Sequence, residues 1–600
     1  MTEITEHEPG ELSLAAEFPP ATRQQWQRLV AKVLGRPGDP GDAPERELAT
    51  VTADGIEIDP LYVADDDHID LGFPGQSPFV RGRTVAGHRT GWDVRQRYEH
   101  PDPAVAREQI MEDLDGGVSS LWLGLDEGQI PVGALPEVLA EVYFDLAPVV
   151  LDAGGQFAAA AEAFIETTAG RGAAPGTLSG NLGADPLGVL ARTGTEASLE
   201  AAAALAARCL AQLPGMQAIV VDALPYHEAG GTDAQELGCA LAAATEYLRA
   251  MRAAGMSGPA AAGQLEFRYA ATADQFATIA KLRAARWGWT RVVQQCGFGA
   301  SGQPQHVVTS WPMLTRRDPW NNILRTTIAC FAAAIGGADA VTVTPFDAAI
   351  GQPDRLGRRV ARNIHALLAE ESNVARVIDP AGGSWYVDNL TEQLALRSWA
   401  CFQDIERHGG LHAALASGYL EGELAASRQA RRGALARRQQ AVTGVSEFPL
   451  VGETLLSRPP QQRPVPDGGL TRIRWAQWHE EFRDRADAYA RATGSPPAAT
   501  LVLLDSSRAT SAQAGRVTAL LAPAGIATVT APMEGADGSA RAAAVVVCGG
   551  PEADQDAVRA AVDHARAHGA SVAVGADEVL TDDLDVLAFG GRILAALEVA

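Results

Sequence analysis

Between about residues 115 and 400, short apolar runs alternate with long alanine-rich stretches of helical period, and this alternation constrains the fold more than any other feature. The runs are SSLWLGL (119–125), PVVLDAG (148–154), GTLSGNLG (176–183), QAIVVDAL (217–224), LEFRYAA (265–271), HVVTSWP (306–312), AVTVTPFD (340–347) and RVIDPAGG (376–383). In the stretch opening at Thr232, residues Leu237, Leu241, Ala244, Leu248 and Met251 recur on one helical side. Another opens with Asp318-Pro319, an N-cap acid followed by proline at the first helical position. Eight strand–helix units in series predict an α/β protein built on a closed parallel (β/α)8 barrel of the TIM type, spanning 81–410. Two separate α/β sheets are the alternative, since a strand count does not establish closure.

A second, shorter alternation begins near residue 497, with TLVLLD (500–505), IATVTAP (526–532), AAVVVCGG (543–550) and SVAVGA (571–576). It predicts a small, doubly wound, flavodoxin-like domain over 497–600. Residues 1–80 are rich in proline and glycine and hold one amphipathic stretch, Gln24–Leu34. They lack a core of their own and read as an arm that packs on something else. Residues 411–496 are polar, include the arginine run SRQARRGALARRQQ (427–440), and read as a connector.

Charge narrows the partners. A net charge of −25 weighs against nucleic acid and anionic membranes, both of which demand a cationic footprint. The arginine run is therefore a solvated or interface helix. The N-terminal MTEITEHEPGELS is acidic and has no apolar core of a signal peptide, and no run reaches the length of a membrane span. The six cysteines are scattered without a CxxC pair, as expected of reduced thiols in a cytoplasmic protein.

Few residues carry chemistry by type and place. Gly297, Gly299 and Gly302 spell GxGxxG, but they follow a helix and precede a strand, the reverse of a dinucleotide-binding turn, so a helix-closing loop is expected. Asp65, Asp66, Asp67 and His68 are metal-ligand types in a turn-rich arm without a second ligand set, and read as a solvated loop with no metal. His227, between Tyr226 and Glu228, follows the fourth of the strands counted above, at the end of a barrel where catalysis occurs. A histidine there either serves as a general acid or packs at a strand end.

Several blocks carry a more specific signal: RGRTVAGHRTGWDVRQRY (81–98), YHEAGGTDAQELGCALAAATEYLRAM from Tyr226, FATIAKLRAARWGWTRV (276–292), DPWNNILRTTIACFAAAIGGADAVTVTPFDAAI (318–350) and EESNVARVIDPAGGSWYV (370–387). In order and spacing the chain resembles the methylmalonyl-CoA mutases, acyl-CoA mutases that use adenosylcobalamin. The resemblance implies a reaction interconverting (R)-methylmalonyl-CoA and succinyl-CoA by radical rearrangement. It also implies a CoA substrate threaded through the barrel axis, and cobalamin held against the C-terminal domain by the histidine of a DxHxxG loop.

Against that pattern the chain departs repeatedly. With Gly515 on the motif's glycine, Thr510 replaces the aspartate and Ala512 the histidine. A methyl group offers cobalt no lone pair. Where catalytic chains carry a tyrosine five residues before Trp92, this chain has Gly87, and His227 abuts Glu228 without the two intervening residues of the family pattern. A substrate-contacting insert after the third of the counted strands is shortened to GADPLGVLARTGT. Val149–Leu151 and Ile219–Val221 are apolar in both pleat phases, so bulky side chains are expected to fill the axis. The resemblance then implies a chain with no catalytic residues, His227 and Tyr226 being vestigial, and no bound cobalamin. Its role is that of a structural partner to a larger catalytic subunit that holds the adenosylcobalamin in a heterodimer, with the N-terminal arm as a clasp. The alternatives are an autonomous mutase with atypical cobalamin binding, or a barrel enzyme of other chemistry using His227, Asp222 and Glu228.

Overall fold

The structure, a computed structural model, describes residues 19, 21–35, 43–63, 66, 71–87, 91–461, 467–532, 542–550 and 553–599. The chain divides into two compact units, one ending at Asp67 and the other beginning at His68. In the first, the amphipathic stretch is a helix, Arg23–Val33, closed by a capping box in which Thr22 and Gln25 bond reciprocally. Leu29 and Val33 are 63% and 86% exposed on it. An antiparallel ribbon pairs Thr50–Val51 with Glu57–Ile58.

In the second unit eight parallel strands close into a barrel in chain order. They are β1 (Asp93–Tyr98), β2 (Ser120–Gly124), β3 (Val149–Asp152), β4 (Gly180–Ala184), β5 (Met216–Asp222), β6 (Leu265–Ala271), β7 (Gln305–Thr309) and β8 (Ala340–Thr342), and β8 pairs with β1. Long helices cover the outside, among them α1 (Asp233–Ala253), α2 (Gln275–Gln295), α3 (Asn321–Ile335) and α4 (Trp385–Arg407). Closure removes the two-sheet alternative. As expected, Thr232 caps α1, and the five apolar residues named on it are all buried. The GxGxxG glycines lie in the loop after α2, with Gly297 and Gly299 at φ +71° and +83°.

Three expectations are corrected. RVIDPAGG (376–383) is not a strand but a short 3-10 turn, Val374–Arg376, followed by a loop. Its place is taken by β1, DVRQRY, whose charged sequence hides it from an apolar-run search. Every strand number therefore rises by one: His227 follows the fifth strand, and the shortened segment follows the fourth. Helix α3 begins at Asn321, not at Asp318-Pro319, because Asp318 sits at φ +43°, a conformation no helix contains.

The axis holds charged side chains as well as apolar ones. Cross-strand register faces Arg97 with Trp122, Trp122 with Val150, Val220 with Glu266, Asp222 with Arg268 and Arg268 with His306. One residue of each apolar set, Val150 and Val220, thus points inward as expected, and ion pairs stand beside them. Arg95 meets Glu266 at 2.8 Å, Arg97 meets Asp152 at 2.7 Å, and Asp222 accepts from Arg192 at 2.8 Å and Arg268 at 3.0 Å. Arg97 and Arg268 stack on Trp122 with ring distances of 4.3 and 4.2 Å. Burial alone would raise the Asp152 carboxyl, yet Arg97, Arg192 and Arg268 hold it well below the usual carboxylate range. Such pairs add little net stability over an apolar core of equal shape, but breaking one strands its partner's charge.

Buried imidazoles add a pH dependence. Trp92 Nε1 donates to His365 Nδ1 at 2.8 Å, and burial depresses His365 to about 3 and His479 to about 4. Because these folded-state values lie below the unfolded value near 6.5, the stability that the neutral rings contribute is complete above pH 6.5 and is lost as pH falls toward 4. Each ring is expected to withdraw about 3 kcal/mol over that range. Denaturant unfolding of His365→Gln as a function of pH should show about one proton fewer taken up on unfolding.

Residues beyond the barrel close over it. Helix α5 (Gln477–Thr493) leads into a parallel sheet of β9 (Ala498–Leu503), β10 (Ala527–Pro532), β11 (Ala544–Cys548) and β12 (Val572–Gly575), ordered β10-β9-β11-β12. Helices α6 (Arg508–Leu521) and α7 (Gln555–Ala567) follow β9 and β11. Leu501, Val517, Leu521, Val546 and Ile593 share one core in this region.

Candidate functional site

The C-terminal end of the barrel is where a substrate would enter, and here chain from the connector lies across it. Leu470 N donates to Ala191 O, Ile473 N to Glu228 O and Trp475 N to Pro312 O, at 2.8–2.9 Å, which bridges the loops after β4, β5 and β7. Arg472 pairs with Glu228 at 2.6 Å and stacks on Trp311 at 4.3 Å. Further along the rim, Arg458 reaches Asp347 at 2.6 Å and Asp354 at 2.8 Å. Glu480 on α5 is fully buried. It accepts from Arg316 N at 2.6 Å and from Arg474 at 2.6 Å, while Asp484 and Asp487 each pair with Arg317 at 2.6 Å.

His227 lies under this cover. It sits in the short helix Leu224–Glu228, is 4% exposed, and meets the Trp475 ring edge-on at 6.4 Å. Its Nε2 is 2.7 Å from Ser310 Oγ, and its Nδ1 is 3.4 Å from Glu236 Oε2. A hydroxyl, an imidazole and a carboxylate in line have the outline of a nucleophile relay. The carboxylate end of that line has other partners. Glu236 already accepts from Ala270 N at 2.7 Å and from Lys281 Nζ at 2.8 Å, and Ser310 is 1% exposed.

Among the described residues, His227, Asp233 and Glu236 form a cluster whose ligand atoms lie within 4.8 Å of one another, a set suited to a metal. The cation's place is taken by Lys281, fully buried, 2.9 Å from Asp233 and 2.8 Å from Glu236. Burial would depress its ammonium, but the two carboxylates raise it above the usual range. Sequence reading missed Asp233, Glu236, Lys281 and Ser310. The i, i+3 pair of acids at the start of α1 was the available signal.

The other candidates are held in structure. Tyr226 is 1% exposed, and burial raises its phenol well above the ordinary value. Asp222 is saturated by two arginines, and Glu228 by Arg472. Gly87 has φ +56°, and a Cβ there would come within 2.6 Å of Ile378 Cγ1, so a tyrosine at this position meets both backbone strain and a clash. Of the acidic cluster in the arm, Asp66 accepts from Arg23 at 2.9 Å, while Asp65, Asp67 and His68 lie outside the described residues.

Thr510 and Ala512 lie inside helix α6 rather than on a loop. Thr510 is buried and donates to Asp505 at 2.8 Å, and Ala512 faces solvent. The next residue, Gln513, is buried. Its Oε1 accepts from Gly549 N at 2.9 Å and Gly550 N at 3.2 Å, and its Nε2 donates to Asp577 at 2.7 Å. The crevice between β9 and β11, where a doubly wound sheet receives a ligand, is thereby bridged by a side chain of the protein itself. These residues do not fit a cobalamin: they present no nitrogen ligand, and the amides of Gly549 and Gly550 are already bonded to Gln513.

The geometry is that of a closed parallel (β/α)8 barrel with an ion-paired axis, chain laid across its mouth and a small appended parallel sheet. Residues 132–477 match the family model described as methylmalonyl-CoA mutase. The chain is 50% identical over 547 residues to the methylmalonyl-CoA mutase small subunit of Streptomyces virginiae, covering 90% of this chain and 89% of that protein. It is 40% identical over 491 residues to the small subunit of Propionibacterium freudenreichii subsp. shermanii, covering 80% and 76%. To the methylmalonyl-CoA mutase of Escherichia coli it is 28% identical over 465 residues, covering 71% and 64%. The chain belongs to the methylmalonyl-CoA mutase family.

Proposed function

We propose that this chain is the noncatalytic, structural subunit of a heterodimeric, adenosylcobalamin-dependent methylmalonyl-CoA mutase. The holoenzyme is an isomerase that interconverts (R)-methylmalonyl-CoA and succinyl-CoA, and the larger partner subunit carries the cobalamin and the radical chemistry. The observation that carries this reading is the Arg97–Trp122–Arg268 stack, with its carboxylates, standing where a CoA arm would pass through the barrel. The C-terminal region is a flavodoxin-like domain of the cobalamin-binding type that has lost its ligand, in keeping with Ala512 in α6 and Gln513 across the crevice. The chain works in the cytoplasm. Among the described residues no helix is long and apolar enough to cross a membrane, which accords with that location. The arm over residues 1–80 clasps the catalytic subunit, a role supported by the exposed Leu29 and Val33 on an otherwise well-capped helix. A partner that binds only the folded form stabilises it by mass action, which gives a noncatalytic copy a reason to persist.

The test is reconstitution. The chain alone is expected to show no mutase turnover, and the complex with a larger, cobalamin-bearing subunit to show full turnover. His227→Ala in that complex should leave kcat within about twofold, since the imidazole touches no substrate. A hundredfold loss with the complex still assembled would instead make His227 catalytic.

A further inference from the structure

We propose that His564 and His568 form a surface site for a borderline divalent transition metal of the zinc(II) and copper(II) type. The two residues are four apart at the end of α7, on one face of the helix, and both are exposed. Their rings stand 4.1 Å apart between centroids with an interplanar angle of 35°. Histidines at i and i+4 present two imidazole nitrogens to one ion, the spacing by which helices chelate zinc.

The tautomer of one ring is already set. His568 Nδ1 lies 2.8 Å from the carbonyl oxygen of His564, and only a protonated nitrogen bonds to a carbonyl. Nε2 of His568 is then the bare nitrogen, directed by the carbonyl contact that orients metal-binding histidines elsewhere. Position contributes a second factor. The pair sits in the last turn and cap of α7, where the unpaired helix carbonyls carry partial negative charge and favour a cation. The neighbouring cation, Arg566, is engaged with Ala573 O at 2.9 Å. The site is remote in kind from the cobalamin chemistry of the family and does not depend on the role proposed above.

His408 supplies an internal control. It is also exposed and makes the same bond, Nδ1 to the carbonyl of Asp404 at 2.8 Å, but its ring stacks on Tyr419 at 3.7 Å instead of on a second imidazole. The experiment is calorimetric titration of the untagged, chelator-stripped full chain with zinc chloride, and separately with copper(II) chloride. Wild type and His408→Ala are expected to bind one more ion per chain than His564→Ala or His568→Ala. Each of the latter two should also elute earlier from an immobilised copper(II) column, with unchanged far-ultraviolet circular dichroism. Equal stoichiometry across all four proteins would overturn the proposal, as would loss of the site in His408→Ala alone.

Discussion

Replacing Lys281 by methionine is expected to destabilise the chain by about 3–5 kcal/mol. The ammonium is fully buried and is the cation shared by Asp233 and Glu236, at 2.9 and 2.8 Å. Methionine fills similar volume, so the loss is electrostatic rather than a cavity effect. Two carboxylates, Glu236 fully buried and Asp233 about one-fifth exposed, would be left facing each other beside His227. Adding Glu236→Gln to the same variant removes one of the stranded charges and should recover part of the loss, a coupling that a double-mutant cycle reads directly. Urea denaturation followed by tryptophan fluorescence measures both. A cost below about 1 kcal/mol for the single variant would mean that the cluster is wetter than its burial implies.

Glu480→Ala should have an effect of the same size, at a different place. Its carboxylate is held below the ordinary range: burial opposes ionisation, but Arg474 and Arg316 outweigh it. Removing it strands Arg474 and the amides of Arg316 and Arg317, and detaches the first turn of α5 from the loop after β7. A loss of about 3–5 kcal/mol is expected in the transition that unfolds this region. Limited proteolysis should show new cleavage between residues 440 and 500, because the connector would then open more often from its seat on the barrel rim. Glu480→Gln retains an acceptor and is expected to lie between the two. Unaltered proteolysis of Glu480→Ala would show that the connector is held by other contacts.

How much of this was legible beforehand differs between the strands and the site. Seven barrel strands announce themselves as apolar runs because both of their faces are buried. Strand β1 does not, since Arg95 and Arg97 point into an axis stocked with their counter-charges. A charged strand is readable only once its partners, distant in sequence, are known. The same applies to the interior as a whole: that one residue of Val149–Leu151 and one of Ile219–Val221 must point inward was legible, but which one, and the pairing of Arg268 with Asp222 and Trp122, depends on register across strands. That Ala512 stands at the position of the family motif's histidine follows from the resemblance, once Gly515 is set on the motif's glycine. That Gln513 bridges to Gly549 and Gly550 was not legible, because that contact needs the sheet order. His227 stood out by position, whereas Lys281, whose ammonium pairs with both carboxylates of its cluster, lies on the following helix, α2, and carries no motif.

The central claim concerns what the barrel and the small sheet no longer bind. The most direct test is to incubate the isolated chain with adenosylcobalamin and with cob(II)alamin, remove free cofactor, and record optical and electron paramagnetic resonance spectra. The account predicts a colourless protein with no cobalt signal. Retained cofactor whose cobalt shows hyperfine coupling to a protein nitrogen would contradict it.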